Sequence, residues 1–160
     1  MRYRLPALAF ATLSMLTSTP AAACLVPQIF YFSSGSAEIT ERSEQSLATL
    51  AAWILRRGSG LREINIDGYS DRTGSRAARM AISRARARAI RDWLVSTGIP
   101  ATRIFVHGRS DSVLLVDTPD GIAETDNRRA EVYITLTDAG EEALRQSAAT
   151  RTAGGFPSCG

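Results

Sequence analysis

The sequence contains no lysine, one histidine and two cysteines, and each scarcity narrows what the chain can do. All 19 basic residues are arginine. The single histidine, His107, has neither a nucleophile nor a metal-ligand pattern near it, so the residues that usually carry hydrolytic or metal-dependent chemistry are missing. We therefore predict no catalytic site, no bound metal and no cofactor.

Long apolar runs are also missing, apart from one at the N-terminus. Arg2 and Arg4 precede a mostly apolar stretch over residues 5–16, and residues 21–23 are all alanine. This order predicts a secretory signal peptide over residues 1–23, too short to remain as a membrane-spanning helix. We expect export to the periplasm and no transmembrane helix in the mature chain.

The charge is nearly balanced once this segment is removed. The full sequence has a formal charge of +3, which falls to +1 without Arg2 and Arg4. Nucleic-acid binding requires a clearly basic surface in the compartment where the nucleic acid lies. We therefore predict no nucleic-acid partner, although residues 79–91 are rich in arginine.

The two cysteines, Cys24 and Cys159, allow two interpretations. Cys24 directly follows the predicted cleavage site, as the acylated cysteine of a bacterial lipoprotein does, and a lipid there would place the protein at the outer membrane. However, Ala21 stands where such sites usually have leucine. Alternatively, the two cysteines form a disulfide, which an even number in an exported chain favours.

Alternation and helical spacing predict the order strand, helix, strand, helix, strand, long loop, strand. The predicted strands cover residues 29–32, 64–67, 103–107 and 130–136. Thr40 and Ser75 are candidate N-caps, the second for a helix over about residues 76–96. A short helix is predicted near residues 139–147. Alternating units with short connections indicate a small α/β sandwich with helices on a face of the sheet.

Residues 64–91 carry most of the chemical information. A polar turn places Asp71 between a strand and a helix, a usual position for a binding loop. Arg86 lies on or beside the apolar stripe of that helix, four residues from both Ile82 and Ile90, where an unpaired guanidinium is costly to bury. The two residues could form a site for a group with both an ammonium and a carboxylate. Alternatively, they pair with each other, or Arg86 extends to solvent along its stem.

Four blocks of the sequence resemble one known family. The blocks are Ile66-Asp67-Gly68-Tyr69-Ser70-Asp71-Arg72-Thr73-Gly74-Ser75, Ile82-Ser83-Arg84-Ala85-Arg86-Ala87, Gly98-Ile99-Pro100 with Arg103-Ile104, and Asn127-Arg128-Arg129-Ala130-Glu131-Val132. In order and spacing they resemble the OmpA-like peptidoglycan-binding domain. The resemblance implies an α+β, β-α-β-α-β-β fold, with a mixed four-stranded sheet in the order 1-4-2-3, the last strand antiparallel, and helices on one face.

This resemblance also implies a division of the chain. We expect a signal peptide over residues 1–23, an OmpA-like domain over residues 24–137, and a short helix with a loose tail over residues 138–160. The implied strand order brings the two ends of the domain onto neighbouring strands, which supports a disulfide between Cys24 and Cys159.

The function implied by the resemblance is noncovalent binding of the peptidoglycan stem peptide through diaminopimelate, which would tether or organise the cell envelope. Asp71 matches the acid that receives the free ammonium of that residue, and Arg86 matches the arginine that receives its carboxylate. The further positions expected at this pocket are Ser70, Arg79, Asn127 and Arg128, and for Arg128 a structural salt bridge is the alternative. Arg129 points to the other side of its strand and is expected to be structural.

The chain departs from the family pattern next to the predicted pocket. Ala78 and Arg79 stand where the family usually has Tyr-Asn, and that Asn normally supports the loop or the ligand. Ser70 replaces a threonine and keeps the hydroxyl. A second hypothesis follows, in which the protein is a periplasmic interaction adaptor on the same fold, with weakened or lost peptidoglycan binding and other envelope proteins as partners.

Overall fold

The structure is a computed structural model, and it describes residues 27–149. The predicted signal peptide and both cysteines, Cys24 and Cys159, lie outside these residues, so the disulfide and the lipid anchor remain predictions. Between residues 27 and 149, no helix combines the length and the apolar character that a membrane crossing needs.

The described chain contains four strands and three α-helices in the predicted order. They are β1 (Gln28–Tyr31), α1 (Glu41–Leu55), β2 (Leu61–Gly68), α2 (Arg76–Ser96), β3 (Ile104–Gly108), β4 (Arg129–Leu136) and α3 (Asp138–Ala149). The side chains of Thr40 and Ser75 cap α1 and α2 as predicted, because each accepts a hydrogen bond from the backbone N–H three residues later. β2 begins earlier than predicted, because an irregularity in its pairing with β4 near Leu61 interrupts the alternation.

The four strands form one mixed sheet in the order β1-β4-β2-β3. β2 runs parallel to β3, whereas β4 is antiparallel to both β1 and β2. In the centre of the sheet, Ile64 of β2 lies between Ile134 of β4 and Ile104 of β3. The fold expected from the resemblance is therefore confirmed.

The hydrophobic core lies between the sheet and the two helices α1 and α2. Ile64, Ile66 and Val132 point from the sheet towards the helices and are fully buried. The apolar residues that the helices bury are Leu47, Leu50, Ala51, Ile54, Ala87, Ile90 and Leu94. α2 differs from α1 because it also buries a charged side chain, that of Arg86.

The end of β2 packs directly on α2, and this contact positions the loop that follows. A Cβ atom on Gly68 would lie 1.9 Å from the carbonyl oxygen of Ser83, so only glycine permits the approach. Gly74, with φ of +74°, then turns the chain into the cap at Ser75. The segment from Tyr69 to Thr73 is thereby held between the sheet and the first turns of α2.

Candidate functional site

The candidate site lies where β2 ends and α2 begins, and it brings Asp71 close to Arg86. Asp71 follows β2 on the loop, and Arg86 projects from the middle of α2. Both are buried, with 4% and 1% of their surface exposed. The Nη1 atom of Arg86 donates to the carbonyl of Tyr69 at 2.9 Å, two residues before Asp71.

Arg86 is anchored by main-chain carbonyls. Its Nη2 and Nε atoms donate to the carbonyls of Ser33 at 3.1 Å and Ser36 at 3.0 Å, in the connection between β1 and α1. No ion pair joins it to Asp71 within residues 27–149, and it does not reach solvent, so neither form of the structural alternative is observed. Burial lowers the pKa of Arg86 to about 10, while nearby Asp71 raises the pKa and Arg128 lowers it.

The carboxylate of Asp71 is fully hydrogen-bonded. Its Oδ1 atom accepts from the backbone N–H of Thr73 at 3.3 Å and from the Thr73 hydroxyl at 2.6 Å. Its Oδ2 atom accepts from the N–H of Glu124 at 3.4 Å and from Nη1 of Arg128 at 3.1 Å. Burial raises the pKa of Asp71, but the hydrogen bonds from Thr73, Arg128 and Glu124 lower it by more. The net effect is a pKa below the usual 3.8.

Arg128 connects three segments at this site. Besides Asp71, its Nη2 atom donates to the hydroxyl of Thr125 at 2.9 Å, and its Nε atom donates to the carbonyl of Phe32 at 3.3 Å. The structure therefore forms a salt bridge between Arg128 and Asp71, the carboxylate that the resemblance assigns to a ligand, and the role of Arg128 as a ligand contact stays a prediction. Two guanidinium groups surround one carboxylate, so the cluster has a net positive charge.

Ser70 is also placed beside this cluster. Its backbone N–H donates to the carbonyl of Ser110 at 2.8 Å, which ties the loop to the end of β3. Its hydroxyl oxygen is buried and has no hydrogen-bond partner in the described chain. A buried polar atom without a partner is uncommon and costs free energy. The hydroxyl is thus a site atom that can still accept or donate a hydrogen bond.

Arg79 and Asn127 hold loops in this structure. Nη1 of Arg79 donates to the carbonyls of Arg72 and Gly74, and its Nε lies 3.2 Å from Asp111. Arg79 therefore supports the turn, the role that the resemblance assigns to the family Asn.

Asn127 is fully buried, and its side chain pairs with the backbone of a distant loop. Its Oδ1 atom accepts from the N–H groups of Leu115 and Val116, and its Nδ2 atom donates to the carbonyl of Val116. The sequence placed Arg79 and Asn127 among the ligand contacts, but their polar atoms are used within the protein. Long-range backbone contacts of this kind have no signature in the local sequence.

Arg129 lies on the opposite side of β4, and its structural role is confirmed. Its Nε atom donates to Glu131 at 2.7 Å, and its guanidinium stacks over the ring of Tyr69 at 4.0 Å.

The residues that hold Asp71 and Arg128 in place include two threonines that the sequence did not indicate. Thr73 bonds the carboxylate from two residues along the chain, and this Asp-x-Thr spacing is a recognised turn signal. Thr125 holds Arg128 and has no comparable local signal.

A cavity of about 400 Å³ opens beside Arg128, between β1 and the first turns of α1. Its polar lining includes Ser33, Thr40, Arg42, Ser43, Ser46 and Thr125. Arg128 lines this cavity and contacts Asp71, whereas Asp71 is not part of the lining. The Arg128 side chain thus separates the carboxylate from the open space.

Fold and site together define an α+β binding domain with a buried acid and a buried arginine at the carboxyl end of a sheet strand. Across residues 27–149, no cluster of three His, Cys, Asp or Glu side chains could hold a metal ion. A sequence model of the OmpA family matches residues 31–129. The chain belongs to the OmpA family.

Known relatives share this part of the chain. A peptidoglycan-associated lipoprotein of Agrobacterium fabrum is 32% identical over 102 residues, which are 62% of this chain and 55% of that protein. Outer membrane protein A of Serratia odorifera is 31% identical over 87 residues, which are 54% of this chain and 36% of that protein. The chain spans about half or less of the length of these relatives.

Solved structures show the same fold. The peptidoglycan-associated lipoprotein of Burkholderia pseudomallei superimposes with a TM-score of 0.62 at 21% identity, covering 68% of this chain and 90% of that one. The C-terminal domain of Helicobacter pylori MotB gives a TM-score of 0.63 at 15% identity, covering 79% and 98%.

Proposed function

We propose that this protein binds peptidoglycan noncovalently, through the diaminopimelate residue of the stem peptide. The carboxylate of Asp71 receives the free ammonium of that residue, and the guanidinium of Arg86 receives its carboxylate. Support comes from membership of the OmpA family and from relatives named peptidoglycan-associated lipoproteins.

One observation carries this proposal: Asp71 and Arg86 are both buried at one loop, and they are not paired with each other. Three main-chain carbonyls hold the guanidinium of Arg86, using three of the five N–H groups that an arginine carries. Its orientation is therefore set before a ligand arrives, and the entropy lost on binding is reduced. A zwitterionic group is the ligand whose charges match both poles.

The expected affinity is moderate. Hydrogen bonds to charged groups contribute roughly 1.5–3 kcal/mol each. Two such contacts sum to about 3–6 kcal/mol, which corresponds to dissociation constants from about millimolar to tens of micromolar. Such affinity suits a reversible tether to a polymer that offers many copies of the same group.

The cellular role follows from the predicted export signal. A protein without its first 23 residues would lie in the periplasm, where a peptidoglycan-binding domain tethers or organises the cell envelope. A lipid on Cys24 would add an outer-membrane anchor, whereas a Cys24–Cys159 disulfide would leave the protein without one.

A second function is favoured by one specific observation. All four hydrogen bonds to the Asp71 carboxylate come from the protein itself. A site that is internally satisfied in this way also fits an adaptor for other envelope proteins that has lost peptidoglycan binding.

Titration of the purified protein with two muropeptides tests the proposal. One carries diaminopimelate, and the other carries lysine, which keeps the ammonium but lacks the second carboxylate. We expect binding of the first only, with loss of binding in Asp71→Asn and Arg86→Lys. Asp67→Asn is the matched control, because Asp67 pairs with Arg109 at 3.0 Å on the other face of the sheet. Equal binding by Asp71→Asn and Asp67→Asn, or no binding by any form, would refute the proposal in favour of the adaptor.

A further inference from the structure

Arg128 contacts the carboxylate of Asp71, and the proposed function assigns this same contact to the ammonium of a ligand. Its Nη1 atom is 3.1 Å from Oδ2, within the range of a charge-assisted hydrogen bond. A carboxylate offers about four acceptor positions, and the four hydrogen bonds to Asp71 already use them. A second cation can therefore bind well only if one of these donors leaves.

Arg128 is the donor that can leave. Two of the other donors are main-chain N–H groups of Thr73 and Glu124, and the third is the Thr73 hydroxyl, all held by the local chain. The Arg128 guanidinium sits at the end of a long side chain, with only neutral partners besides Asp71, namely Thr125 and Phe32.

The cavity provides a place for the guanidinium to go. Arg128 lines this space of about 400 Å³, and the hydroxyls of Thr40, Ser43 and Ser46 on its wall can accept hydrogen bonds from a displaced guanidinium. Arg42 lines the same space. Repulsion between the two guanidinium groups therefore makes the displaced position less stable than the pair with Asp71 in the absence of ligand.

We propose that Arg128 is an internal competitor for the ligand ammonium: it occupies Asp71 in the free protein and swings into the neighbouring cavity when ligand binds. The inference rests on the proposed function, because it concerns the same carboxylate. Displacement also moves one positive charge away from a cluster that a cationic group must enter. Arg128 thus lowers the affinity of the site and favours ligands whose ammonium can replace a guanidinium.

Substitution of Arg128 should increase the affinity for the ligand, whereas substitution of a residue that contacts the ligand would decrease it. Arg128→Gln removes the competing charge, and we expect the affinity for the diaminopimelate muropeptide to increase about 10- to 100-fold, the value of one hydrogen bond to a charged group. Arg42→Gln makes the same charge change in the same cavity without touching Asp71; because it only removes the repulsion that a displaced Arg128 meets, it should tighten binding by much less than Arg128→Gln.

Two further measurements keep the test specific. Thr125→Val retains the charge of Arg128 but removes one of its anchors, so it should also tighten binding, by less than Arg128→Gln. A muropeptide with its free diaminopimelate amino group acetylated has no ammonium, so the unsubstituted protein and Arg128→Gln should bind it equally. Thermal melting establishes that each variant is folded before titration.

The outcomes separate this inference from the proposed function. Weaker binding by Arg128→Gln, with binding retained by the unsubstituted protein, would make Arg128 a ligand contact and overturn the competition while leaving the function intact. An affinity of Arg128→Gln equal to that of the unsubstituted protein, or no higher than that of Arg42→Gln, would overturn it as well. If no form binds the muropeptide, the proposed function fails and the inference fails with it.

Discussion

Arg128 and Arg129 are neighbours in the sequence, yet the two sides of β4 use them differently. Arg129 is 1% exposed and bonds Glu131, two residues along the same strand. Arg128 bonds Asp71, which is 57 residues away on a separate loop, and it borders a cavity. Alternation along a strand sends successive side chains to opposite faces. The neighbours therefore belong to two separate regions, a sealed cluster and a site.

The sealed cluster holds its acid through side chains of the same strand. Glu131 accepts one hydrogen bond from Arg129 and a short one from the hydroxyl of Tyr133. Burial raises the pKa of Tyr133, and the hydrogen bond to Glu131 and the charge of Glu131 raise it further, so the hydroxyl keeps its proton. The comparison teaches that a buried arginine–acid pair is a candidate site only where one partner can be exchanged. Asp71 meets that condition, whereas Glu131 does not.

The largest effect is expected for Arg86→Ala. The change removes three hydrogen bonds and leaves the buried carbonyl of Tyr69 without its donor, whereas the Ser33 carbonyl keeps the N–H of Ser36, so unfolding should become easier by about 3 kcal/mol. The muropeptide affinity should also fall below detection. Denaturant unfolding and titration measure the two effects. A fully stable Arg86→Ala would contradict the anchoring described for this side chain.

Arg129→Met should produce a comparable loss of stability with no loss of function. It leaves the buried carboxylate of Glu131 with the Tyr133 hydroxyl but without its arginine. Breaking a buried ion pair in this way lowers the free energy of unfolding by about 3–5 kcal/mol. The folded fraction should bind muropeptide with unchanged affinity, measured at low temperature. The double variant Arg129→Met/Glu131→Leu should recover much of the stability. Lost affinity in well-folded protein would mean that the two faces of β4 are coupled.

An intermediate effect on the free energy of unfolding is expected when the pH is lowered. Because the pKa of Asp71 is lowered on folding, its contribution to stability is complete above the usual value of 3.8 and is lost as the pH falls through the lowered pKa. The difference in unfolding free energy between the unsubstituted protein and Asp71→Asn should thus be constant from about pH 7 to pH 5 and shrink below pH 3.8. A difference that instead shrinks near neutral pH would show that the carboxylate is not held as its charged form.

The smallest effect is expected for Ser70→Ala. The hydroxyl has no partner in the described structure, so its removal should change stability by less than about 0.5 kcal/mol, or slightly increase it. If the hydroxyl contacts ligand, affinity should fall by less than about tenfold. Thermal melting measures the effect on stability, and titration measures the effect on affinity. A large loss of stability would point to a hydrogen bond that the structure does not contain.

Much of the fold was predictable because its signals are local. Caps at Thr40 and Ser75 and the alternation around Ile64 and Ile134 depend on residues a few positions apart. The extent of β2 was underestimated, because the irregular pairing near Leu61 is a property of the partner strand. Strand order came from family resemblance, since alternation alone does not state which strands are neighbours.

The candidate site was predictable in part. Arg86 stood out because a charge at a core-facing helical position needs partners, and the structure supplies three carbonyls for it. The bonds of Asn127 to Leu115 and Val116 were not predictable, because these partners lie in an irregular loop, and its assignment to the pocket stays a prediction. Loops without periodicity carry little information about which backbone groups they bring together.

By itself, the sequence determined the order of strands and helices, the turn that presents Asp71, and the position of Arg86 on or beside the core-facing side of its helix, since each follows from spacing within one element. Only the tertiary structure decided that Arg128 lies on Asp71 and that a cavity opens beside it. Those contacts join segments 57 residues apart. They form because packing brings the end of β2 beside the start of β4, and electrostatic pairing then selects among the charges that meet there.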